Sequence, residues 1–385
     1  MTSRPSVKLV RSALASVCAA AAFAGTGWCA AGEVAAEWTR IVQSPRLSAM
    51  GEGGAALPGD VLGAMESNPA LFALQNWKEA QFSYNAWMEG ISLQEAAYAH
   101  PMGRHGTLSL FGTMLRMAPF AGYDNSGNQV ADVTAGDSLY GISYAGRITG
   151  PWGDRSKGLF AGAALKYANQ SIDTVSASAL LYDVGVLGMT KFGRGILGVG
   201  ASARSLGGGF QFDAEKDPAP TTYRLGMSYQ TLIWGDPLTL TGDIVKDSDM
   251  DMRYSAGFEV ILWRSLAFRG GYMSGQDLGN GLRCGVGMDL KIFRLDYALA
   301  SMGKFNVVNR MSIAARFGKP IEVTPHLTED EEKALWHYER AKKLSAERRY
   351  YDAVLELNEA LKLDPKCTQA LQLMEKLRNM METLP

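Results

Sequence analysis

The sequence has few residues of the kinds that build disulfide frameworks and metal centres. It contains four cysteines and four histidines in 385 residues, and no metal-ligand spacing can be assembled from them. Positive and negative side chains nearly cancel, with 38 Lys and Arg against 39 Asp and Glu, which gives no basis for a nucleic-acid partner. Beyond the N-terminus no apolar run reaches the ~18 residues of a membrane-spanning helix.

Catalytic motifs are missing as well. The chain has no Gly-x-Ser-x-Gly element and no phosphate-binding glycine loop followed by a helix. No Ser/His or paired acidic set can be assembled. We therefore predict that the protein is not an enzyme and uses neither a cofactor nor a metal.

What the sequence does contain is a two-residue alternation repeated along most of its length. In residues 222–230, for example, large apolar side chains occupy every second position and small or polar ones stand between them. This period is typical of β-strands, whose side chains point alternately to opposite faces. It predicts fourteen strands at 77–87, 90–100, 105–115, 137–148, 157–172, 176–189, 194–206, 221–232, 238–248, 252–262, 265–275, 281–290, 291–300 and 309–318.

The charged residues indicate which face of this sheet meets lipid. Eight of them lie mid-strand, opposite the apolar face: Arg224, Asp243, Arg253, Glu259, Arg269, Arg283, Asp289 and Arg316. A charge facing lipid at mid-membrane costs ~2–4 kcal/mol, so these residues are predicted to line a lumen. A soluble fourteen-stranded barrel would be too wide for its side chains to fill. We predict an all-β transmembrane barrel of about 14 antiparallel strands.

The segments on either side of the barrel differ from it in composition. A basic start followed by an apolar, small-residue run predicts a signal peptide over residues 1–31. A Gly- and Ala-rich stretch without alternation, 32–76, precedes the barrel at 77–318. A linker at 319–327 then leads to charged helices at 328–385. The longest gaps between strands follow odd-numbered strands, which places those loops outside the cell. An even number of strands then returns the chain to the periplasm, where the C-terminal helices are expected.

The stretch before the first strand resembles the plug of two related groups of outer-membrane proteins, the FadL-type long-chain fatty acid transporters and the PorV-type proteins. The resemblance lies in Met50-Gly-Glu-Gly-Gly-Ala-Ala, Asp60 and Asn68-Pro-Ala, while Leu71 replaces the glycine that commonly follows. It implies an N-terminal hatch that closes the barrel and apolar ligands that bind in the lumen. The candidate hatch and ligand residues are Gly51, Gly53, Gly54, Asn68, Pro69, Ala70 and Phe72.

The C-terminal helices resemble a tetratricopeptide repeat over residues 334–367. The small, aromatic and proline positions of the repeat are filled by Ala341, Leu344, Tyr350, Ala353, Leu357, Ala360 and Pro365. Three residues depart from the pattern: His337, Arg340 and Arg348. A plain helical hairpin without a binding role is the alternative.

Two loops are candidate binding sites. Residues 247–251 have the acidic spacing of a calcium loop but lack its later glycine and glutamate, so a solvated turn is the better prediction. Met114, Met117 and Phe120 stand at the edge of a long loop and form a candidate apolar lip.

The sequence therefore predicts an outer-membrane protein of a diderm bacterium, in contact with membrane lipid, that binds and passes hydrophobic small molecules such as fatty acids. The main alternative is an anchor or secretion component that recruits a periplasmic protein partner through residues 328–385. A surface-exposed structural protein is a third alternative.

Overall fold

The computed structural model describes residues 34–87, 90–124, 126–151, 154–275, 279–303, 307–321, 329–347, 349–365 and 367–382. The predicted signal peptide, 1–31, lies outside the described residues, and so does most of the predicted linker. Two compact units are present, a β-barrel unit and a helical unit.

Of the sixteen strands in the described residues, fourteen form the barrel wall, and every wall-strand boundary lies within three residues of its predicted position. The wall strands are β1 (Lys78–Ala86), β2 (Ser92–Pro101), β3 (Thr107–Arg116), β4 (Ala135–Thr149), β5 (Gly158–Ile172), β6 (Val175–Phe192), β7 (Gly195–Gly207), β10 (Thr222–Ile233), β11 (Asp236–Asp247), β12 (Arg253–Leu262), β13 (Leu266–Met273), β14 (Leu282–Asp289), β15 (Phe293–Ser301) and β16 (Val307–Phe317). The other two, β8 (Phe210–Gln211) and β9 (Lys216–Asp217), form a small hairpin between β7 and β10.

Each wall strand pairs with its sequence neighbours in antiparallel register, and the sheet closes between its first and last strands. Lys78 of β1 faces Phe317 of β16, and the pairing continues to Ala86 and Asn309. A closed sheet leaves no unpaired edge, which is the condition for a β-structure in a membrane. The predicted closed antiparallel barrel is confirmed.

The outer surface of the wall has the profile of a membrane-spanning barrel. At one end, here called the loop end, the longest connections follow β3 and β7, and exposed tyrosines form a belt: Tyr84, Tyr182, Tyr223, Tyr254 and Tyr272. At the other, here called the turn end, the exposed aromatic residues are Phe192, Trp234, Trp263, Phe293 and Phe317.

The separation of these two aromatic belts matches a lipid bilayer. Tyr254 lies near the start of β12, and Trp263, which is 75% exposed, directly follows its last residue, nine positions further along (254 to 263). At ~3.3 Å per residue and a tilt of ~40°, this corresponds to roughly 23 Å along the barrel axis. Outer-membrane barrels carry an apolar band about 25 Å tall between aromatic girdles.

Residues 34–76, here called the hatch, lie inside the barrel and are almost entirely buried. They form a 3₁₀ helix (Glu37–Arg40), α1 (Pro45–Ala49), α2 (Val61–Ser67) and a second 3₁₀ helix (Pro69–Leu74). At several points where the hatch approaches closely, the inner wall carries glycines: Gly162, Gly185, Gly200, Gly257, Gly271 and Gly285. A side chain at these positions would collide with the hatch, so glycine is needed there for the hatch to pack against the wall.

The helical unit consists of three helices, α3 (Glu329–Ala346), α4 (Tyr350–Leu363) and α5 (Thr368–Glu382). Small residues at the α3–α4 crossing, including Ala341, Ala353 and Ala360, are completely buried and let the two helices approach closely. Two departures from the repeat pattern have a local explanation: His337 Nδ1 lies 2.7 Å and Arg340 Nε 3.1 Å from the Glu356 carboxylate on α4. Arg348 lies outside the described residues. Among the described helices, none combines the length and apolarity needed to cross a membrane.

Candidate functional site

The glycine-rich loop of the hatch is held by charged residues of the wall. Asp243 on β11 accepts hydrogen bonds from the backbone N–H groups of Gly54 and Ala55, both at 2.8 Å. Arg224 on β10 lies 3.3 Å from Asp243 and also donates to the Glu52 carbonyl oxygen. Because backbone N–H groups in the loop converge on one carboxylate, the loop is fixed without a large side chain of its own.

Gly51 and Glu52 both adopt a left-handed backbone, with φ of 67° and 65°. This conformation is uncommon for a residue with a side chain. It directs the Glu52 carboxylate to Arg283 on β14, with which it forms a buried ion pair. Gly53 packs against the wall, where an added Cβ would stand 3.2 Å from the Thr241 Cβ. Gly51, Gly53 and Gly54 therefore all lie at the hatch–wall contact.

A second set of contacts forms one continuous chain of ion pairs toward the turn end. Arg46 of the hatch binds Glu259 with two hydrogen bonds of 2.7 and 2.9 Å. Arg269 bridges Glu259 and Asp296 at 2.6 Å each. The chain continues through Arg294, which lies 3.0 Å from Asp296.

Arg294 also joins the hatch to the seam where the barrel closes. Its Nη2 lies 3.2 Å from Asp60 of the hatch and 3.3 Å from Glu79 of β1. Across the seam, Arg316 of β16 lies 3.0 Å from Glu79 and 2.9 Å from Asp289. Opposite charges buried together offset part of the cost of removing each from water.

The remaining charge of the predicted set, Arg253, pairs with Asp247 at the loop end. Arg40 of the hatch lies 2.6 Å from Asp249 and 3.6 Å from Asp247. Both aspartates are buried, so the prediction of a solvated turn at 247–251 is wrong for them. The two aspartates pair with two arginines, Arg253 and Arg40, and Arg40 lies more than 200 residues away in the sequence. All eight predicted lumen charges thus lie in ion pairs.

The Asn68-Pro-Ala turn of the hatch lies against β6. The Asn68 side chain donates to the carbonyl oxygens of Ala55, at 2.7 Å, and Val186, at 3.0 Å, and accepts from Ala70 N–H at 3.0 Å. Pro69 opens the 3₁₀ helix that follows, and Phe72 in that helix is fully buried. One side chain therefore ties two hatch segments to the wall.

Between the hatch and the wall lies a small cavity of about 20 Å³, room for about one water molecule. It lies on the side of the hatch where the 3₁₀ helix Glu37–Arg40 approaches the wall. Its apolar lining comes from Trp38, Ile41, Met65, Phe111 and Leu139. Its polar lining comes from Thr39, Gln43, Glu66, Glu95, Thr113, Lys166 and Arg204.

Charged groups in this lining are arranged in two clusters. In the first, Lys166 Nζ lies 2.6 Å from Asp183, and Arg204 Nε lies 3.7 Å from the same carboxylate. The second consists of the two buried carboxyl groups of Glu66 and Glu95, which interact electrostatically with each other.

The Glu66 carboxyl sits in the hatch and accepts backbone hydrogen bonds from Gln43 and Ser44. Burial raises the pKa of the Glu66 carboxyl to about 7, and the N–H donors oppose this shift only in part. Glu95 on β2 accepts from the Thr113 hydroxyl at 3.0 Å.

Three buried polar atoms that line the cavity have no hydrogen-bond partner within the described part of the chain. They are the Trp38 indole Nε1, the second carboxyl oxygen of Glu95 and the Arg204 Nε. A buried polar group without a partner costs about 1–3 kcal/mol, so these three atoms make this part of the hatch–wall contact energetically unfavourable.

None of these cavity residues was singled out from the sequence. Three of them could have been found with the pattern that identified the other lumen charges. That pattern is a charged residue in the middle of a strand, on the face opposite the apolar one. Applied to the first seven strands, it selects Glu95, Lys166 and Arg204, each of which faces inward. Trp38 and Glu66 lie in the hatch, which has no period to predict which side chains face the wall.

No family model and no curated protein matches the sequence. Solved structures of similar fold include the CymD monoaromatic hydrocarbon channel, with 13% identity, 71% of this chain and 97% of that chain covered, and a TM-score of 0.49. The toluene transporter TodX of Pseudomonas putida gives 13% identity, 71% and 96% coverage, and a TM-score of 0.46. A FadL homologue of Pseudomonas aeruginosa gives 9% identity, 72% and 97% coverage, and a TM-score of 0.41. Similarities of this strength assign neither a family nor a cargo to this chain.

Proposed function

We propose that the protein passes hydrophobic small molecules, long-chain fatty acids foremost, across the outer membrane of a diderm bacterium. The observation that carries this proposal is the plugged lumen. The hatch fills the barrel and is bonded to the wall on several sides, and the cavity beside it measures about 20 Å³. Such a barrel offers no path for bulk water, whereas an apolar molecule can travel along a hatch–wall boundary that opens locally.

The route begins at the loop end, which this proposal places outside the cell. Phe120 is 49% exposed there and, with Met114 and Met117, offers an apolar landing surface. The cargo then passes along the hatch–wall boundary beside Trp38, which has to widen locally because the cavity there has room for about one water molecule. Its release requires movement of the segment from Asn68 to Phe72, which the Asn68 hydrogen bonds to Ala55 and Val186 hold in place.

A disulfide between hatch and wall tests this route. Gly53 and Thr241 face each other, and cysteines at both positions come within a few tenths of an ångström of disulfide geometry. Cys284 and Cys367 are replaced by serine in this background. Under oxidising conditions the double-cysteine protein should take up fatty acid at less than about a tenth of the reduced rate. The single-cysteine proteins serve as controls, and full uptake by the oxidised protein contradicts the mechanism.

The helical unit favours a second candidate function, an outer-membrane anchor that recruits a periplasmic protein. The described part of this unit exposes large apolar side chains that its own core does not use: Trp336, Tyr351, Leu355 and Leu371. Exposed apolar and aromatic residues of this kind mark protein-binding surfaces.

This second candidate is tested with a photo-crosslinking amino acid at Tyr351 in living cells. One stoichiometric crosslinked protein, lost when Leu355 is changed to Ser, supports recruitment. The same strain is assayed for fatty acid uptake. Uptake that persists without a crosslink supports the transport function alone.

A further inference from the structure

At the turn end, four exposed cations lie at consecutive positions around the rim of the barrel. Arg264 lies in the turn after β12, Lys291 lies in the turn after β14, Lys319 follows β16, and Lys78 is the first residue of β1. These positions are consecutive because β12 to β16 are neighbours in the wall and β16 pairs with β1. The four residues are here called the basic patch.

Backbone hydrogen bonds hold the segments that carry the basic patch together. The N–H of Asp289 donates to the Ser265 carbonyl oxygen at 2.8 Å, which joins the turn after β12 to the end of β14. The N–H of Ile321, beyond β16, donates to the Asn76 carbonyl oxygen, before β1, at 2.8 Å. The four cations are therefore carried on one continuous rim.

The negative charges that adjoin the basic patch in sequence are already compensated. Glu79 and Asp289 both bind Arg316, at 3.0 and 2.9 Å, and Glu79 is buried. Within the described part of the chain, no ion pair involves any of the four cations of the patch. Their charges are therefore available to an external partner.

Large apolar side chains lie between these cations along the same rim. The exposed Trp263 directly precedes Arg264, and Lys291 stands between the exposed Leu290 and Ile292. Aromatic residues mark the level where hydrocarbon gives way to head groups, and a Lys or Arg beside them reaches outward to the head-group layer. The sequence of apolar and basic residues thus places the four charges at the depth of lipid phosphates.

The loop end has the opposite sign of charge. Among the described residues of its connections, the exposed cations are Arg116 and Lys216 alone. The exposed acids there include Asp124, Asp132, Asp173, Asp213, Glu215 and Asp251. The barrel is polarised along its axis, so an anionic surface is attracted to the turn end and repelled from the loop end.

We propose that the basic patch binds the phosphate groups of anionic phospholipids in the leaflet that meets the turn end. Four cations beside an apolar edge fit a lipid whose head group is negatively charged and whose chains lie against the wall. A zwitterionic lipid brings a positive group to the same place and gains no net attraction. The proposal rests neither on the transport function nor on which side of the outer membrane the turn end faces.

The test measures lipid preference on the full chain in vesicles of phosphatidylcholine and phosphatidylglycerol. Either lipid is added in brominated form, and the quenching of tryptophan fluorescence gives their relative affinity for the protein. The turn end is read selectively, because its belt contains the exposed Trp234 and Trp263, whereas the loop-end belt consists of tyrosines. The quenching that is lost when both tryptophans are changed to phenylalanine is the turn-end signal.

We expect the turn end of the wild-type protein to prefer phosphatidylglycerol by about fivefold at ~0.1 M salt, the contribution of one Lys or Arg near an anionic surface. At ~1 M salt the Debye length is only about 3 Å, and the preference should fall below about twofold.

A double variant isolates the basic patch. Arg264→Gln with Lys291→Gln removes the cations of the two joined turns beside Trp263 and should reduce the preference to less than about twofold. The matched control is Arg116→Gln with Lys216→Gln, which removes two exposed cations at the loop end and should keep the wild-type preference. Heat-modifiable gel migration checks that each variant is folded.

Equal affinity of the two lipids at the turn end of the wild-type protein overturns the proposal and leaves the patch to solvent or to an acidic protein. A preference that persists at ~1 M salt, or that survives in the patch variant, overturns it as well, because the lipid is then held by something other than these charges. The wild-type measurements do not depend on whether the variants fold. The proposed transport function is judged separately, by the uptake of the disulfide-locked protein.

Discussion

Replacing Gly200 by alanine is expected to unseat the hatch while leaving the barrel wall intact. Gly200 lies on the inner face of β7, where an added methyl group would overlap the carbonyl oxygen of Ala55. That oxygen also accepts the Asn68 side chain at 2.7 Å, and the Ala55 N–H is bound to Asp243 at 2.8 Å. The added methyl group therefore collides with a residue, Ala55, whose backbone N–H and carbonyl oxygen are both held by hydrogen bonds.

The size of the effect follows from the cost of overpacking. Inserting a methyl group into a closely packed contact costs about 2 kcal/mol. At about 1.4 kcal/mol for each factor of ten, this raises the fraction of barrels with a displaced hatch about 30-fold. A displaced hatch opens a water path, so the frequency of ion-conducting events in a planar bilayer should rise by a similar factor.

The matched control is Gly242→Ala on β11, two strands away in the wall. Gly242 faces lipid, and an added Cβ there would find its nearest neighbour at 3.7 Å, an ordinary contact. This variant should conduct no more often than the wild type. Equal conductance of the two variants, with both barrels folded by heat-modifiable gel migration, would refute the argument that the Gly200–Ala55 contact seats the hatch.

Three further changes probe the other hatch contacts. Arg294→Met removes the cation shared by three buried carboxylates and should destabilise the protein by about 3–5 kcal/mol, seen as a lower midpoint of urea unfolding; an unchanged midpoint contradicts this. The Glu66 carboxyl has a pKa raised from 4.5 to about 7, so the seated hatch holds its proton longer than the unfolded chain and should lose stability as pH rises from about 4.5 to about 7. Glu66→Gln should flatten this dependence of hatch protection against proteolysis, and a slope retained in the variant refutes it. Asn68→Ala removes three hydrogen bonds at a cost of about 1–3 kcal/mol, and amide exchange in residues 68–74 should accelerate accordingly; unaltered exchange would show that the turn is held by packing alone.

The barrel was predictable from the sequence because each strand carries its own signal. A strand with one face toward lipid and one toward a polar lumen must alternate, and a one-residue slip would reverse every side chain. The lumen-facing direction of Asp243 and Arg269 followed from the same rule. The period therefore fixes both the strand boundaries and the side of the wall on which each charge lies.

The pairing of those charges with the hatch was not predictable in the same way. Arg46 meets Glu259, and Glu52 meets Arg283, across sequence separations of more than 200 residues. The hatch has no period of its own, so nothing in its sequence indicates which of its side chains faces which strand. The position of the cavity was not predictable for the same reason, because the cavity is formed where the irregular segment around Trp38 approaches five separate strands.

The ion pairs at the closing seam bear on the order in which the molecule is assembled. The first and last strands meet with Arg316 against Glu79, and Glu79 shares Arg294 with Asp60 of the hatch. A sheet that closed around an empty lumen would enclose Arg294 without one of its carboxylates, and the 43 residues from 34 to 76 would then have to enter through an open end of the barrel. A hatch that is already in place when β1 and β16 pair avoids this unpaired buried charge. Seating of the hatch and closure of the wall are therefore expected to be coupled, and a substitution that weakens the hatch–wall contacts is expected to lower the yield of assembled barrel.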